Sequence, residues 1–440
     1  MDAEELDRRA RTYDGWLRPE VVTSLVDAGY VDELYRQAEA GDWYCARKAA
    51  RILAEQERPD EALALLDGFV HAGWWTAVDE AAAILDESGR SDEATALVRR
   101  FAEAGNRLAL HRLIALLCRQ GFLDQAFVVA RPHADDWFLI SVLVDANGYA
   151  GRDEELVAML RARIGQDPWQ ADVQVVGQLA KVLERQGLVD EAVELLRVHA
   201  NPPGTVQVNH VEQLADLLVR HDRLDQLQEV ISRPGGEHAA EHLAKFLVER
   251  GRIEDAVDTL RPFIASGDPN RAWQAAQILE RGGRVDEAID VLRPFPTSMT
   301  GDIDWIVNRL AELLVMQGRP DEALSIIDSL TAPKQGPWFE IARIRFWVLA
   351  HSGRVDVAIA ELRAHHEADT WYGEQELATL LTDAGRLDDA VALLQASSHA
   401  RQHRIQLPQL LIRQGRITEA IPAARIASEQ RPVSAVDPRS

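Results

Sequence analysis

His238 and His242 stand four residues apart in the run His238-Ala239-Ala240-Glu241-His242. On a helix that spacing puts two imidazoles on one face, where they could hold zinc beside the Glu241 carboxylate. Metal-assisted hydrolysis is the chemistry such a site would serve. The same stretch falls where every other repeat, described below, places an ordinary helix, and nothing nearby suggests flanking strands. A plain helical face is therefore the favoured reading, and no metal or cofactor is expected. No nucleophile or general acid–base pair stands out elsewhere, so the chain reads as non-enzymatic. Cys45 and Cys118 are the only cysteines. They offer no metal-ligand spacing and fit a reducing compartment.

Tryptophan is the other chemically distinctive residue. Trp43, Trp75, Trp137 and Trp371 recur at one phase of a repeat, with Trp74, Trp338 and Trp305 within one residue of it. A large ring at a fixed phase is expected to fill the space between neighbouring helices. Trp273 and Trp347 lie off that phase and are better candidates for a binding surface.

The elements that position these residues follow from a phrase of the form Gly-Arg-x-Asp-Glu-Ala. It is seen at Gly89-Arg90-Ser91-Asp92-Glu93-Ala94 and Gly283-Arg284-Val285-Asp286-Glu287-Ala288, for example. Its first position falls at 29, 57, 89, 121, 151, 187, 222, 251, 283, 318, 353, 385 and 415, and is Gly except at Glu57 and Asp222. Glycine belongs just past a helix end, where the chain needs positive φ to turn back. Four residues before this anchor stands Leu, from Leu25 and Leu53 to Leu381 and Leu411, broken only by Asn147. Eight before it, Leu recurs at Leu113, Leu143, Leu179, Leu214, Leu243, Leu310, Leu377 and Leu407. Leucines four apart form one buried helical stripe. Five residues after the anchor stands Ala in most repeats, as at Ala62, Ala94 and Ala390. Seven before it, Ala recurs at positions such as Ala50, Ala244 and Ala276. Small residues on successive helices allow close approach. The unit is thus helix A, a Gly turn, and helix B opened by Asp-Glu, which suits the helix dipole. The fold class is an all-α solenoid of αα-hairpins, about 13 repeats long.

This pattern resembles the tetratricopeptide repeat family, on Leu243-Ala244, Gly251 and Asp255-Ala256 and their equivalents over roughly residues 15 to 425. The resemblance implies a right-handed superhelix whose A helices line a concave groove that holds a peptide or a partner helix. The chain departs from the family in having Leu for the helix A aromatic, as at Leu279, and in lacking the closing proline. Pro132, Pro262 and Pro294 instead fall in helix B, where each is expected to end or kink it. Ala38-Glu39-Ala40-Gly41-Asp42 and Ala102-Glu103-Ala104-Gly105-Asn106 are similar to the inter-repeat turn of Sel1-like repeats. Pentatricopeptide repeats, which bind RNA, share the Gly-Arg phrase.

Carrying the family's groove positions over marks Arg47, Arg51, Lys181, Lys245, Trp273, Gln277, Asn308, Arg343, Trp347 and Tyr372 as candidate ligand-groove residues. The minus-six position carries Lys181, Lys245 and Arg51 but also Asp145, Asp216 and Glu312, so no uniform basic clamp is present. The implied function is a protein–protein interaction scaffold, its partner an unidentified protein or peptide. A sensing module acting on a separate effector chain is the alternative, and a zinc hydrolase at His238/His242 a more distant one.

Net charge is −23 over 440 residues, which makes nucleic acid a poor partner, since phosphate binding needs clustered basic residues. No apolar run reaches membrane-spanning length, and Met1-Asp2-Ala3-Glu4-Glu5 is unlike a secretory signal. A cytoplasmic protein is expected. The preference for Arg over Lys suggests a bacterial genome of high GC content. Residues 1–17 are expected to cap the array, which runs over 18–427 with a soft break near 200–210, at Asn201-Pro202-Pro203-Gly204-Thr205. A disordered tail is expected over 428–440.

Overall fold

A computed structural model describes residues 2–146, 152–164, 173–201, 205–298, 304–330 and 339–425. Trp338, Asn147, Gly151, most of the Asn201–Thr205 loop and the expected tail lie outside these residues. Every regular element among the described residues is helical, and none is long and apolar enough to cross a membrane.

The repeat pattern translates directly into helices. Gly236–Glu249 and Ile253–Ala265 form one hairpin, Pro269–Arg281 and Val285–Leu292 the next. All twelve leucines four before the anchor are buried, none above 5% exposed. The ten alanines five after it are sealed as completely. The anchor is left-handed wherever it is described: φ is +72° at Gly251 and +74° at Gly283. Glu57 and Asp222 hold the same conformation, with φ +60° and +54°. An L side chain there costs about 1–2 kcal/mol. Glu57→Gly is therefore expected to raise the melting temperature, the relief of strain outweighing the extra freedom glycine gives the unfolded chain. Thermal melts of the two proteins decide it, and an unchanged or lower midpoint would show that the Glu57 side chain contributes something the backbone does not.

The arginine of the repeated phrase has a role the sequence did not disclose. It reaches forward to the acid of its own B helix and back to the acid of the preceding repeat. Arg90 pairs with Glu93 and with Asp60, both at 2.7 Å. Arg152 pairs with Asp124 (2.6 Å), Arg319 with Asp286 (3.1 Å) and Arg354 with Asp321 (2.9 Å) in the same way. The hydrogen bonds from Arg90 and Arg284 hold the Glu93 and Glu287 carboxyls below their ordinary range. Such exposed pairs contribute little stability singly, but they tie successive B helices at one phase.

The prolines behave unequally. Leu123–Ala130 gives way to a 3-10 turn containing Pro132, and Val285–Leu292 stops before Pro294. At Pro262 the helix does not end: Ile253–Ala265 runs through it for its full 13 residues. Pro262 and Asp258, whose carbonyl loses its helical donor, both face solvent, where water can replace the missing bond.

The chain divides into two compact units, residues 121–354 and residues 1–120 with 355–440. In the second of these, sequence-distant segments meet. Gln406–Arg413 packs on Pro19–Asp27, with Gln409 Nε2 donating to Ser24 Oγ at 3.1 Å. Arg425 donates to Gln37 Oε1 (2.7 Å) and Asp42 Oδ2 (3.2 Å). The helix Ala3–Thr12 is held by Tyr44, whose hydroxyl donates to the Ala10 carbonyl (3.1 Å), and by Trp74, whose indole donates to Asp7 (2.7 Å). Trp16, Trp43, Phe69 and Trp74 form one aromatic cluster, with ring centroids of Trp43 and Trp74 4.7 Å apart.

The expectation for the phased tryptophans thus divides. Trp43 and Trp74 are buried, whereas Trp137 and Trp371 are exposed. Whether a neighbouring aromatic lies across from the ring depends on packing partners that the phase alone does not specify.

Candidate interaction surface

The helix Pro269–Arg281 is built to present one face inward and another outward. Pro269 sits at its first position, and the Asp268 carboxylate accepts from the Asn270 and Arg271 N–H groups (2.9 and 3.3 Å), which fixes its start. Ala272, Ala275, Ala276 and Leu279 are buried. Arg271, also buried, donates to the Glu237 carbonyl and to Glu241, both at 2.9 Å, and so pins the helix to Gly236–Glu249. Trp273 and Gln277, one turn apart, are left on the outer side. Trp273 is 36% exposed. Lys245, the counterpart of Gln277 one repeat earlier, is also exposed.

The other candidates in residues 121–354 are more engaged. Asn308 donates to Glu312 at 2.8 Å. Trp347 is half-buried and stacks on His351, with ring centroids 4.2 Å apart. Arg343 is exposed on Phe339–His351. Lys181 lies 3.6 Å from Asp145.

In the unit of residues 1–120 and 355–440, Arg47 and Arg51 both turn onto one carboxylate, Glu80, which is only 6% exposed. Arg47 meets it at 2.7 Å, and Arg51 also reaches Glu87 at 2.8 Å. Their charge is largely answered within the protein. Sequence reading missed this because Glu80 lies one repeat away on the next A helix. Tyr372 is half-buried, its hydroxyl donating to Glu367 at 2.8 Å. A cleft of about 570 Å³ lies in the same unit, lined by polar Ser24, Asp27, Asp383 and Gln409 and by apolar Leu410 and Ile412 among others. No sequence signal could have assembled it, since Ser24 and Gln409 are 385 positions apart.

The histidine pair of the sequence analysis falls on Gly236–Glu249. Glu241, the carboxylate between the two histidines, is bonded to Arg271 (2.9 Å), and His238 lies 3.6 Å from Glu212. Among the described residues, no third metal-ligating side chain joins His238 and His242 in a compact group. Burial pushes the Cys118 thiol up to about 11 and the Cys45 thiol higher still, so neither is primed as a nucleophile at neutral pH.

Two stretches, residues 238–262 and 308–329, match the family model described as tetratricopeptide repeat. The first runs from Gly236–Glu249 into Ile253–Ala265, the second from Asp304–Met316 into Pro320–Leu330. No curated protein matches the chain in sequence. Among solved structures, the pentatricopeptide repeat protein PPR10 from maize is similar at 15% identity, over 96% of this chain and 74% of that one, with a TM-score of 0.34. Naa15/Naa10 bound to HypK-THB gives 13% identity over 91% and 73%, with a TM-score of 0.34. A tetratricopeptide repeat protein from Parabacteroides merdae gives 14% over 57% and 98%, with a TM-score of 0.26.

Proposed function

We propose that this chain, a tetratricopeptide-repeat-like helical protein, is a non-enzymatic scaffold that binds a peptide or partner helix across its A helices in residues 236–351. The observation that carries this reading is Trp273. A large apolar ring is held 36% exposed on a capped helix, while the leucines of the same helix pattern are sealed. Lys245 and Gln277 supply polar groups at equivalent positions beside it, and Asn308, Arg343 and Trp347 continue the row on the next A helices. An aromatic anchor among polar neighbours is the composition that interface hot spots favour. A partner that covers Trp273 with an apolar side chain and meets Lys245 with an acidic one would satisfy both.

The test is affinity capture from the native host with the parent and with a Trp273→Ala/Trp347→Ala double variant, followed by a binding titration with the partner recovered. The variant should stay folded by thermal melting and bind at least about tenfold more weakly, the loss of ~1.4 kcal/mol or more expected for a hot-spot aromatic. A folded variant that binds as tightly as the parent would move the binding surface elsewhere, to Arg47, Arg51 and Tyr372 first.

A further inference from the structure

We propose that His365, His366 and Glu367 form a binding site for one divalent transition-metal ion of the zinc class. The three residues are consecutive, in the turn between Val355–Ala364 and Trp371–Asp383. One ligand atom from each lies within 4.8 Å of the other two. Neighbouring side chains on a helix or strand point apart, so convergence of three in a row needs a shaped turn. This turn is shaped and held. The His365 N–H donates to the Leu362 carbonyl (3.0 Å), and the Ala368 N–H to the His365 carbonyl (3.1 Å). Thr370 donates to the Glu367 carbonyl through its N–H (3.1 Å) and its hydroxyl (2.7 Å). The next helix closes against it at Gly373, where a Cβ would lie 2.1 Å from the Glu367 carbonyl oxygen. Only glycine permits that approach.

The donor set fits the ion. The two imidazoles face each other with centroids 4.3 Å apart. In the metal-free chain the Glu367 N–H donates to His365 Nδ1 (3.2 Å), and coordination through either nitrogen of that ring would replace this bond. The Tyr372 hydroxyl bonds Glu367 (2.8 Å) and orients it, as outer partners of metal-ligating carboxylates do. His366 is exposed, so an ion can enter from solvent. Two imidazoles and one carboxylate suit zinc, whereas magnesium and calcium take oxygen ligands. Metal–ligand bonds of about 2.0–2.2 Å would draw the three side chains inward and leave a fourth position for water. The proposal is independent of the scaffold reading.

The experiment is calorimetric titration of the full chain, stripped with chelator, with ZnCl2 and separately with MgCl2, together with thermal melts. Parent protein should bind one equivalent of Zn²⁺ and melt higher with it, and should ignore Mg²⁺. His366→Ala, an exposed change, should keep the metal-free melting temperature and weaken Zn²⁺ binding by about tenfold or more. Glu367→Gln should act in the same direction and serves if His366→Ala proves unstable. Zn²⁺ binding that is absent in the parent, or equal in the parent and both variants, overturns the proposal. So does binding lost instead in His238→Ala/His242→Ala, or in Glu374→Gln, whose carboxylate contacts His399 (3.1 Å) and His403 (2.8 Å).

Discussion

Leu279→Ala is expected to lower stability by about 2–5 kcal/mol, the range for emptying a well-packed leucine site. Leu279 is 1% exposed and occupies the position that is leucine in twelve repeats. Its helix is pinned at its start by Asp268 and by the buried Arg271, so the surroundings have little freedom to collapse into the space. Gln277→Ala, on the outer face of the same helix, should change stability by no more than about 0.5 kcal/mol. Urea melts of the two variants side by side provide the measurement. Equal midpoint shifts would mean that the inward and outward faces of the A helices have been interchanged.

The second large effect is expected at Asp42. Its side chain is fully buried and accepts three hydrogen bonds: from the Leu17 N–H (2.6 Å), the Cys45 N–H (3.2 Å) and Arg425 Nη2 (3.2 Å). Asp42→Ala strands two buried backbone donors and removes one of the two partners of the Arg425 guanidinium. Each orphaned donor costs about 1–3 kcal/mol, whereas the Arg425 guanidinium, 31% exposed, keeps water and Gln37 as partners. A loss of at least about 2 kcal/mol is expected. Arg425→Ala should cost clearly less. Arg425 is partly exposed, and the Asp42 carboxylate keeps both of its backbone donors. Chemical denaturation of both variants decides this. If Arg425→Ala were the more damaging, the contact between the chain's two end segments, rather than the backbone donors, would be what Asp42 secures.

Much of the hairpin was legible from residue types alone. Leu25, Leu279 and Leu411 are buried because the i, i+4 period belongs to any α-helix, whatever surrounds it. The left-handed turns at Gly251 and Gly283 could be anticipated because φ is a local property, and even Glu57 and Asp222 obey the position rather than the residue. The candidate surface was only partly legible. The sequence placed Trp273 off the repeat phase, and the structure leaves it exposed. Arg47 and Arg51 look equally available on paper, yet both meet Glu80.

What the chain determined by itself was whatever depends on neighbours within one or two helical turns: helix extent, the buried stripe, the turn and the cap. The tertiary structure decided everything that depends on the separation of elements in space. The arginine of the repeated phrase finds an acid about one repeat back, as Arg319 finds Asp286, only because successive B helices stack at a fixed distance. Trp43 is buried and Trp371 exposed at the same repeat phase because only the first meets Trp16, Phe69 and Trp74. Ser24 meets Gln409, and Asp42 meets Arg425, across 385 and 383 positions of sequence. Which distant segments meet is set by the packing of whole helices, and a periodic sequence that repeats one local pattern carries no mark of it.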